Sequence, residues 1–356
     1  MWMDNFVSYG TGPSDIGSGG AARTRMGQGT PYVNLNSWTV ADPVTTGGYC
    51  ITANGVNNNG NNLDNNLALP VPGAAIGVAC RFYLPYLGQS NDIIQWQDVS
   101  NNTLYAMNIL SNGAIAIRNA NGGNGAQVVS TIVPVVTAGA WWHIEAMVDL
   151  ALGYVSVYVE GVRVIYQSIP TSATLIAILG WSTRWNLQAP ITYQDMKDLI
   201  IYDKNGTVNN AAGSIGPVTV YRLPLLTDVS NGWTITGGTT VHATIGGEPP
   251  VDATEYSSAG YGPFPAAAVC GATALPANIV GVRGIMTLQR VDKSDGGDAQ
   301  YQMQAISGTS THTGVSHLPG TSLAYQYDVV ELDPATGVVW SPIGVNNVHI
   351  GINRTV

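Results

Sequence analysis

The feature that most constrains the fold is a run of alternating residue types in the middle of the chain, residues 141–165. From Trp142 to Leu150 every second residue is apolar, and His, Glu and Asp lie between them. Such alternation is typical of a β-strand with one buried face. Two further strand-like runs follow at 154–160 and 162–167, each after a glycine-containing turn. The segment therefore predicts three consecutive antiparallel strands.

Composition extends this prediction to the whole chain. Charged residues make up 10% of the 356 residues, against roughly 25% in a typical soluble domain. Helix-favouring Glu, Lys and Arg are therefore scarce, whereas the strand formers Val, Ile, Thr and Tyr are plentiful. No stretch shows a helical apolar stripe. The sequence predicts an all-β protein built mainly from antiparallel strands.

The strands are unevenly distributed along the first part of the chain. Residues 1–70 are expected to be irregular. From residue 75 onwards about ten short strands follow in quick succession, the last of them near 217–222, and turn-forming Asn, Asp and Gly lie between them. This pattern predicts an antiparallel sandwich, and we assign residues 1–223 to it.

The remaining residues, 224–356, are assigned to a second and smaller β-sandwich-like domain. It begins after a predicted boundary near Leu223. A loop rich in Gly, Pro and Ala is expected over 244–276. Four strands are then predicted, near 279–290, 299–306, 323–331 and 346–352.

Several motifs give the first domain a resemblance to a known fold family. Residues 142–145, Trp-His-Ile-Glu, and the Gly-x-Val-x-Val-Tyr-Val-x-Gly pattern at 153–161 resemble the core of the concanavalin A-like (laminin G-like) jelly rolls. Residues 198–203, Asp-Leu-Ile-Ile-Tyr-Asp, and 216–223, Gly-Pro-Val-Thr-Val-Tyr-Arg-Leu, resemble the closing motif of such modules in phage proteins. The resemblance implies that residues 1–223 form a jelly roll of the lectin and glucanase type.

Two other segments resemble parts of tailed-bacteriophage proteins. Residues 3–10 are similar to the opening strand of jelly-roll modules in phage proteins. Residues 325–340, where a strand ends in Asp-Pro-Ala-Thr-Gly and a Trp follows the turn, resemble a C-terminal element of tailed-phage structural proteins. These resemblances imply a virion structural protein.

Because β-glucanases share the jelly roll, glycan hydrolysis is the enzymatic hypothesis to weigh. A retaining mechanism needs two carboxylates about 5–5.5 Å apart. Glu145 and Asp149 lie four positions apart on one predicted strand, which separates them by roughly 13 Å, and Met147 stands between them. No Gly-x-Ser-x-Gly elbow is present either. We therefore predict no catalytic residues and no enzymatic activity.

A metal site is weighed at residues 292–298, where three aspartates cluster. The segment lacks the Asp-x-Asp-x-Asp-Gly spacing that wraps oxygen ligands around calcium. An acidic hairpin tip explains it equally well. The five histidines show no zinc-binding spacing. We expect neither a metal nor a cofactor.

A glycan-binding site is predicted at residues 180–188. Trp181 and Trp185 lie four positions apart, with Arg184 and Asn186 beside them. Aromatic faces can pack against sugar C–H groups while the polar side chains bind hydroxyls. Packing of the same tryptophans in the core or between subunits is the alternative.

Charge and sequence patterns limit the partners. The net charge is −9 and no Lys/Arg run exists, which argues against nucleic acid and against docking on an anionic membrane. No apolar stretch of about 18 residues and no signal-peptide pattern is present. We therefore expect a protein made in the host cytoplasm. Cys80, in an apolar strand, is expected to be a buried free thiol.

The combined expectation is a non-enzymatic phage virion protein, a capsid decoration, head fibre or tail-associated component. Few surface charges leave little repulsion between copies, so a homo-oligomer is expected, with a trimer as the predicted state. Capsid or tail proteins would be its partners, together with host-surface glycan. The alternative function is a free carbohydrate-binding protein or polysaccharide depolymerase.

Overall fold

A computed structural model describes residues 2–4, 32–34, 37–41, 49–53, 64–87, 91–119, 126–182, 194–204, 208, 214–246, 256–260 and 266–356. The described residues form two compact units. One contains those up to Val220, and the other contains those from Tyr221 to Val356. The boundary predicted from the sequence lies after Leu223.

The first unit is built from antiparallel strands. They are β1 (Trp2–Asp4), β2 (Tyr32–Asn34), β3 (Ser37–Ala41), β4 (Tyr49–Ala53), β5 (Asp64–Gly73), β6 (Ala75–Tyr83), β7 (Asn91–Gln97), β8 (Thr103–Ile109), β9 (Ile115–Asn119), β10 (Gln127–Ser130), β11 (Trp141–Asp149), β12 (Tyr154–Val159), β13 (Val162–Ser168), β14 (Ile176–Ser182) and β15 (Gln194–Asp203). Sheet A has the order β13-β12-β11-β6-β15-β4-β3, with β1 beside β15. Sheet B has the order β10-β9-β8-β7-β14-β5-β2.

The two sheets face each other across an apolar core. The even-numbered side chains of β11, Ile144, Ala146 and Val148, are fully buried. From sheet B, Trp96 is also fully buried, and its indole N–H donates to the carbonyl of Ile76 in sheet A at 3.2 Å. Burying such large aromatic and branched side chains is the main source of stability in a sandwich.

The second unit has one larger and two smaller antiparallel sheets. Its strands and helices are β16 (Leu225–Asn231), β17 (Thr234–Thr236), α1 (Val241–Ile245), β18 (Tyr256–Ser258), β19 (Ala266–Ala272), β20 (Ile285–Val291), β21 (Tyr301–Ser307), β22 (Ser310–His317), β23 (Ala324–Val330), α2 (Pro342–Asn346) and β24 (His349–Arg354). The larger sheet has the order β16-β19-β24-β21-β22, and β17-β18 and β20-β23 form pairs. The predicted fold class, an antiparallel jelly-roll sandwich followed by a smaller β domain, is confirmed. Neither described helix is long and apolar enough to cross a bilayer.

The predicted turn near the end of the chain is confirmed. Asp333 accepts hydrogen bonds from the backbone of Ala335 at 2.9 Å and Gly337 at 2.7 Å. Gly337 has φ of 69°, a conformation that favours glycine. Trp340 then packs in the core, and its indole N–H donates to the Val330 carbonyl at 2.9 Å.

Three expectations about irregular and regular segments are wrong. Strands β2 to β4 lie within residues 1–70, where their three to five residues are too few to show a periodic pattern, whereas β1 overlaps the segment that resembles an opening strand. The expected loop over 244–276 contains β18 and β19. Strand β19 reads Ala-Ala-Ala-Val-Cys-Gly-Ala, and alanine and glycine give it little strand propensity. Its place between β16 and β24 in the sheet overrides that weakness.

The third error concerns residues 217–222, which the sequence predicts as a strand. They form none, because the backbone N–H of Val220 donates to the Asp198 carboxylate instead of to a neighbouring strand.

The expected buried thiol is present: Cys80 is free and buried, as is Cys270. Burial raises the pKa of the Cys80 thiol well above its usual range.

Candidate functional site

The outer face of sheet A, turned away from sheet B, carries the polar residues of β11. Sequence alternation predicts a half-buried strand with His143, Glu145 and Asp149 on its polar face. The structure places them on that face, but all three are buried: their exposed fractions are 0%, 0% and 1%. A buried carboxylate is costly unless it is paired or hydrogen-bonded. The hydrogen-bond partners of each buried group therefore show whether it has a structural role or is available to a ligand.

Glu145 binds a segment that follows β15, residues 214–220, which we call the arm. The carboxylate accepts hydrogen bonds from Ser214 Oγ at 2.6 Å and from the backbone N–H groups of Ile215 at 2.6 Å and Gly216 at 3.2 Å. It also accepts a hydrogen bond from the Tyr202 hydroxyl. All four donors belong to residues after β11, so Glu145 fixes the arm to the sheet.

A second carboxylate holds the other end of the arm. In β15 one extra residue is inserted relative to β6, between Lys197 and Ile200. Asp198, within this bulge, has φ of 54°, a conformation that aspartate tolerates better than most residues. Its carboxylate accepts the Val220 N–H at 3.0 Å and pairs with Arg81 at 3.4 Å.

Asp149 is engaged at the opposite end of β11. One oxygen accepts the backbone N–H of Leu152 at 2.8 Å and closes the turn into β12. The other lies 3.3 Å from Lys204 Nζ, which also donates to the Tyr154 hydroxyl at 2.9 Å. Glu145 and Asp149 therefore have separate sets of structural partners.

His143, between the Glu145 site and the start of β11, is fully buried and has an uncharged ring. Neither of its ring nitrogens has a hydrogen-bond partner among the described residues. Burial, together with the nearby charge of Arg81, lowers the pKa of His143 to about 4. The imidazole is neutral at physiological pH and serves as packing.

Beyond His143, at the end of the same face, lies an aromatic group that we call the Trp141 cluster: Tyr83, Trp141, Asp195 and Lys197. Trp141 and Tyr83 are paired in register, and their rings are 5.6 Å apart at 47°. Lys197 Nζ lies 4.3 Å from the centre of the Trp141 ring, a cation–π contact. Asp195 is paired with Tyr83 from the other side. Both aromatic side chains are partly exposed.

The predicted glycan-binding residues lie at the end of β14 and in the connection from β14 to β15. Trp181 lies in β14, where its backbone pairs with Asn65, and its side chain is outside the described residues. Arg184, Trp185 and Asn186 also lie outside the described residues. The connection that contains them enters β15 at Gln194, one residue before Asp195 of the cluster.

Sequence reasoning missed the Trp141 cluster. Its members come from β6, β11 and β15, which are far apart in the sequence and adjacent in sheet A. It also missed a stack of two tyrosines at the far end of the face. Tyr154 and Tyr166 have ring centres 5.4 Å apart at 26°. The one available signal is the tyrosine content of β12 and β13.

The aspartate-rich segment 292–298 is not a hairpin tip. It joins β20 to β21, and these strands belong to different sheets, so the predicted hairpin is wrong. Asp295 accepts the Gly297 N–H at 2.8 Å, and Lys293 Nζ donates to the Gly297 carbonyl at 2.8 Å. Within the ranges that the structure describes, no group of three or more His, Cys, Asp or Glu residues is arranged to hold a metal ion.

Several solved structures are similar to part of this chain. A sialidase matches 49% of it at 14% identity with a TM-score of 0.36, and the chain spans only 17% of the sialidase. A cellulose induced protein, Cip1, matches 49% at 11% identity with a TM-score of 0.39, over 91% of its own length. The carbohydrate binding module CBM66 from Bacillus subtilis matches 48% at 11% identity with a TM-score of 0.34, over 95% of its length. No family model and no curated protein matches the sequence.

Proposed function

We propose that the protein is a carbohydrate-binding module without catalytic activity, and that the Trp141 cluster binds the sugar. The observation that carries this proposal is the partly exposed pair of Trp141 and Tyr83 with Lys197 beside it. Sugar sites combine aromatic surface with a few fixed polar groups. In the cluster, the rings offer apolar area, and the half-buried Lys197 offers a positive charge beside them.

The position of the cluster adds support. It lies on a rigid sheet, with each member held by strand pairing, so little conformational entropy is lost on binding. The connection carrying Arg184, Trp185 and Asn186 enters the sheet beside Asp195. We propose that these residues complete the sugar site and that Trp181 supports them.

The carboxylates of β11 support the non-catalytic part of the proposal. Glu145 accepts four hydrogen bonds from the arm and Tyr202, and Asp149 is paired with Lys204. A general acid or nucleophile must reach the scissile bond. Both groups are instead buried under their structural partners.

Glycan binding is tested by screening the purified protein on a glycan array and measuring the affinity of the best ligand by calorimetry. Replacing Trp141 with alanine is expected to weaken binding roughly tenfold or more, since a central aromatic contact is worth about 2 kcal/mol. Trp185→Ala tests the neighbouring connection. Tyr256→Ala, an exposed aromatic in the second unit, is the matched control. An unchanged affinity in Trp141→Ala would overturn the assignment of the site.

A role as a virion component is the second candidate, favoured by the 10% content of charged residues and by the phage-like motifs. Such a protein would be a capsid decoration, head fibre or tail-associated homo-oligomer. Mass spectrometry of gradient-purified virions tests this. Hundreds of copies per particle would indicate capsid decoration, a few to a dozen would indicate a tail or fibre, and absence would exclude the role.

A further inference from the structure

The tyrosine stack at the edge of sheet A ends in a cation. Ser156 and Tyr166 are register partners, as are Tyr154 and Ser168, so the two tyrosines are diagonal neighbours on the outer face. The guanidinium carbon of Arg163 lies 5.1 Å from the centre of the Tyr166 ring. Arg163, Tyr166 and Tyr154 therefore form a continuous row along the edge strand β13 and its neighbour β12.

A local irregularity puts Arg163 on the same face as Tyr166. Residues three apart in a regular strand point to opposite faces. Here the register shifts between Val157 and Tyr158, which leaves Val164 as an extra residue in β13 and pairs Arg163 with Tyr158. Bulges of this kind redirect a side chain.

The inner end of the row is anchored. Lys204 donates to the Tyr154 hydroxyl at 2.9 Å and is itself paired with the buried carboxylate of Asp149. Lys204 thus holds the Tyr154 ring in place, and Tyr166 stacks on that ring. Such anchoring reduces the entropy that ordering the site would otherwise cost on binding.

The outer end of the row is open. Tyr166 is 59% exposed and Arg163 is exposed. No ion pair of Arg163 is found among the described residues. The nearest acidic residue in the sequence, Glu160, uses an oxygen to accept the backbone N–H of His143 at 2.7 Å. Arg163 therefore presents a positioned guanidinium in a protein whose net charge is −9.

We propose that Arg163 and Tyr166 form a binding site for the anionic group, carboxylate or sulfate, of an acidic saccharide. A guanidinium binds such oxyanions through two parallel hydrogen bonds. The exposed Tyr166 hydroxyl and ring edge would contact the adjoining sugar. The inference rests on the proposed carbohydrate-binding function for the identity of the ligand, but it concerns a site separate from the Trp141 cluster.

The test uses the full chain and matched pairs of polysaccharides. Polygalacturonate is compared with its methyl ester, and dextran sulfate with dextran, by calorimetry at low and high salt. We expect binding of polygalacturonate or dextran sulfate, loss of binding with the uncharged counterpart, and a decrease with salt. Arg163→Gln is expected to weaken binding by about tenfold or more, because the charge-assisted hydrogen bonds to the oxyanion are lost. Arg163→Lys should restore part of it.

Arg283→Gln, which removes an exposed arginine from the second unit, is the control for the loss of one positive charge. Failure to bind either anionic polymer, or equal affinity of wild type and Arg163→Gln, would overturn the inference. If a neutral glycan binds through Trp141 while both anionic polymers fail, the proposed function stands and this site does not. If the anionic polymers bind through Arg163 and Trp141→Ala has no effect, this site stands and the assignment of the sugar site to the Trp141 cluster does not.

Discussion

At Glu145 the sequence places a carboxylate at a fully buried position. The group is stable there because two backbone N–H groups and two hydroxyls of later residues donate to it. These four hydrogen bonds satisfy a carboxylate that would otherwise be costly to bury. The cost of removing it includes the donors that would be left unsatisfied.

Glu145→Gln is therefore expected to lower the free energy of unfolding by about 2–4 kcal/mol. The amide keeps the shape of the side chain but replaces one acceptor oxygen with a donor that faces other donors. Urea unfolding measures the effect. Asp298→Asn, the same acid-to-amide change at an exposed position, should be within about 0.5 kcal/mol of wild type. Equal losses at both positions would contradict the role of Glu145.

His143 predicts a dependence of stability on pH. Its pKa is lowered to about 4 by burial and by Arg81, whereas an unfolded histidine titrates near 6.5. Between these values the unfolded chain binds a proton that the folded protein excludes. The contribution is complete above about pH 6.5 and is lost as the pH falls towards 4, by up to ~3 kcal/mol.

His143→Leu removes this term. Wild type should lose about 2–3 kcal/mol more than the variant between pH 7 and pH 4.5, as measured by urea unfolding at each pH. Carboxylates titrate in both proteins, so the difference isolates His143. His312→Leu is the control, in β22 of the second unit. Parallel pH profiles for wild type and His143→Leu would show that the ring becomes protonated without cost.

At the scale of elements, the packing of β15 against β6 requires a glycine at position 77. A Cβ atom at Gly77 would overlap the ring of Tyr202, which lies across β6 on its way to Glu145. Because the hydroxyl is held at Glu145, the ring has little freedom to move. Gly77→Ala is expected to cost about 1–3 kcal/mol, measured by thermal unfolding. Gly281→Ala, where the added Cβ meets nothing within 4 Å, should cost little; similar losses would mean that chain flexibility, not overlap, governs the effect.

At the same scale, bulges mark where sequence patterns lose their predictive value. Strand β11 is predictable because apolar residues recur at every second position from Trp142 to Val148, with His143, Glu145 and Asp149 on the other face. The extra residues at Asp198 and Val164 break alternation in β15 and β13, so no periodic pattern places Asp198 under the arm or Arg163 beside Tyr166. Likewise, residues 217–222 have strand-like composition, but a carboxylate from another strand binds their backbone.

For the whole molecule, the sequence predicts the fold class more fully than the site. Alternation, turn residues and low helix propensity act locally, so they predict the antiparallel sheets. The Trp141 cluster forms because β6 pairs with β11 on one side and with β15 on the other. The contact of Lys197 with the indole depends on the same pairings. Such pairings join distant segments and follow from packing, which a single sequence does not reveal.

The net charge of the whole chain controls how strongly copies repel one another in solution. With a net charge of −9 at pH 7 and a pI near 4.8, repulsion between copies weakens as the pH falls towards 4.8. Solubility should therefore pass through a minimum there, measured by light scattering from pH 7 to pH 4. Replacing the exposed Thr311 and Thr313 of β22 with lysine should move the minimum to higher pH.

The predicted homotrimer is tested separately from solubility, by sedimentation. The protein should sediment as a trimer at pH 7 and micromolar concentration. A monomer at pH 7 that associates only near pH 4.8 would show that loss of charge alone drives the contact.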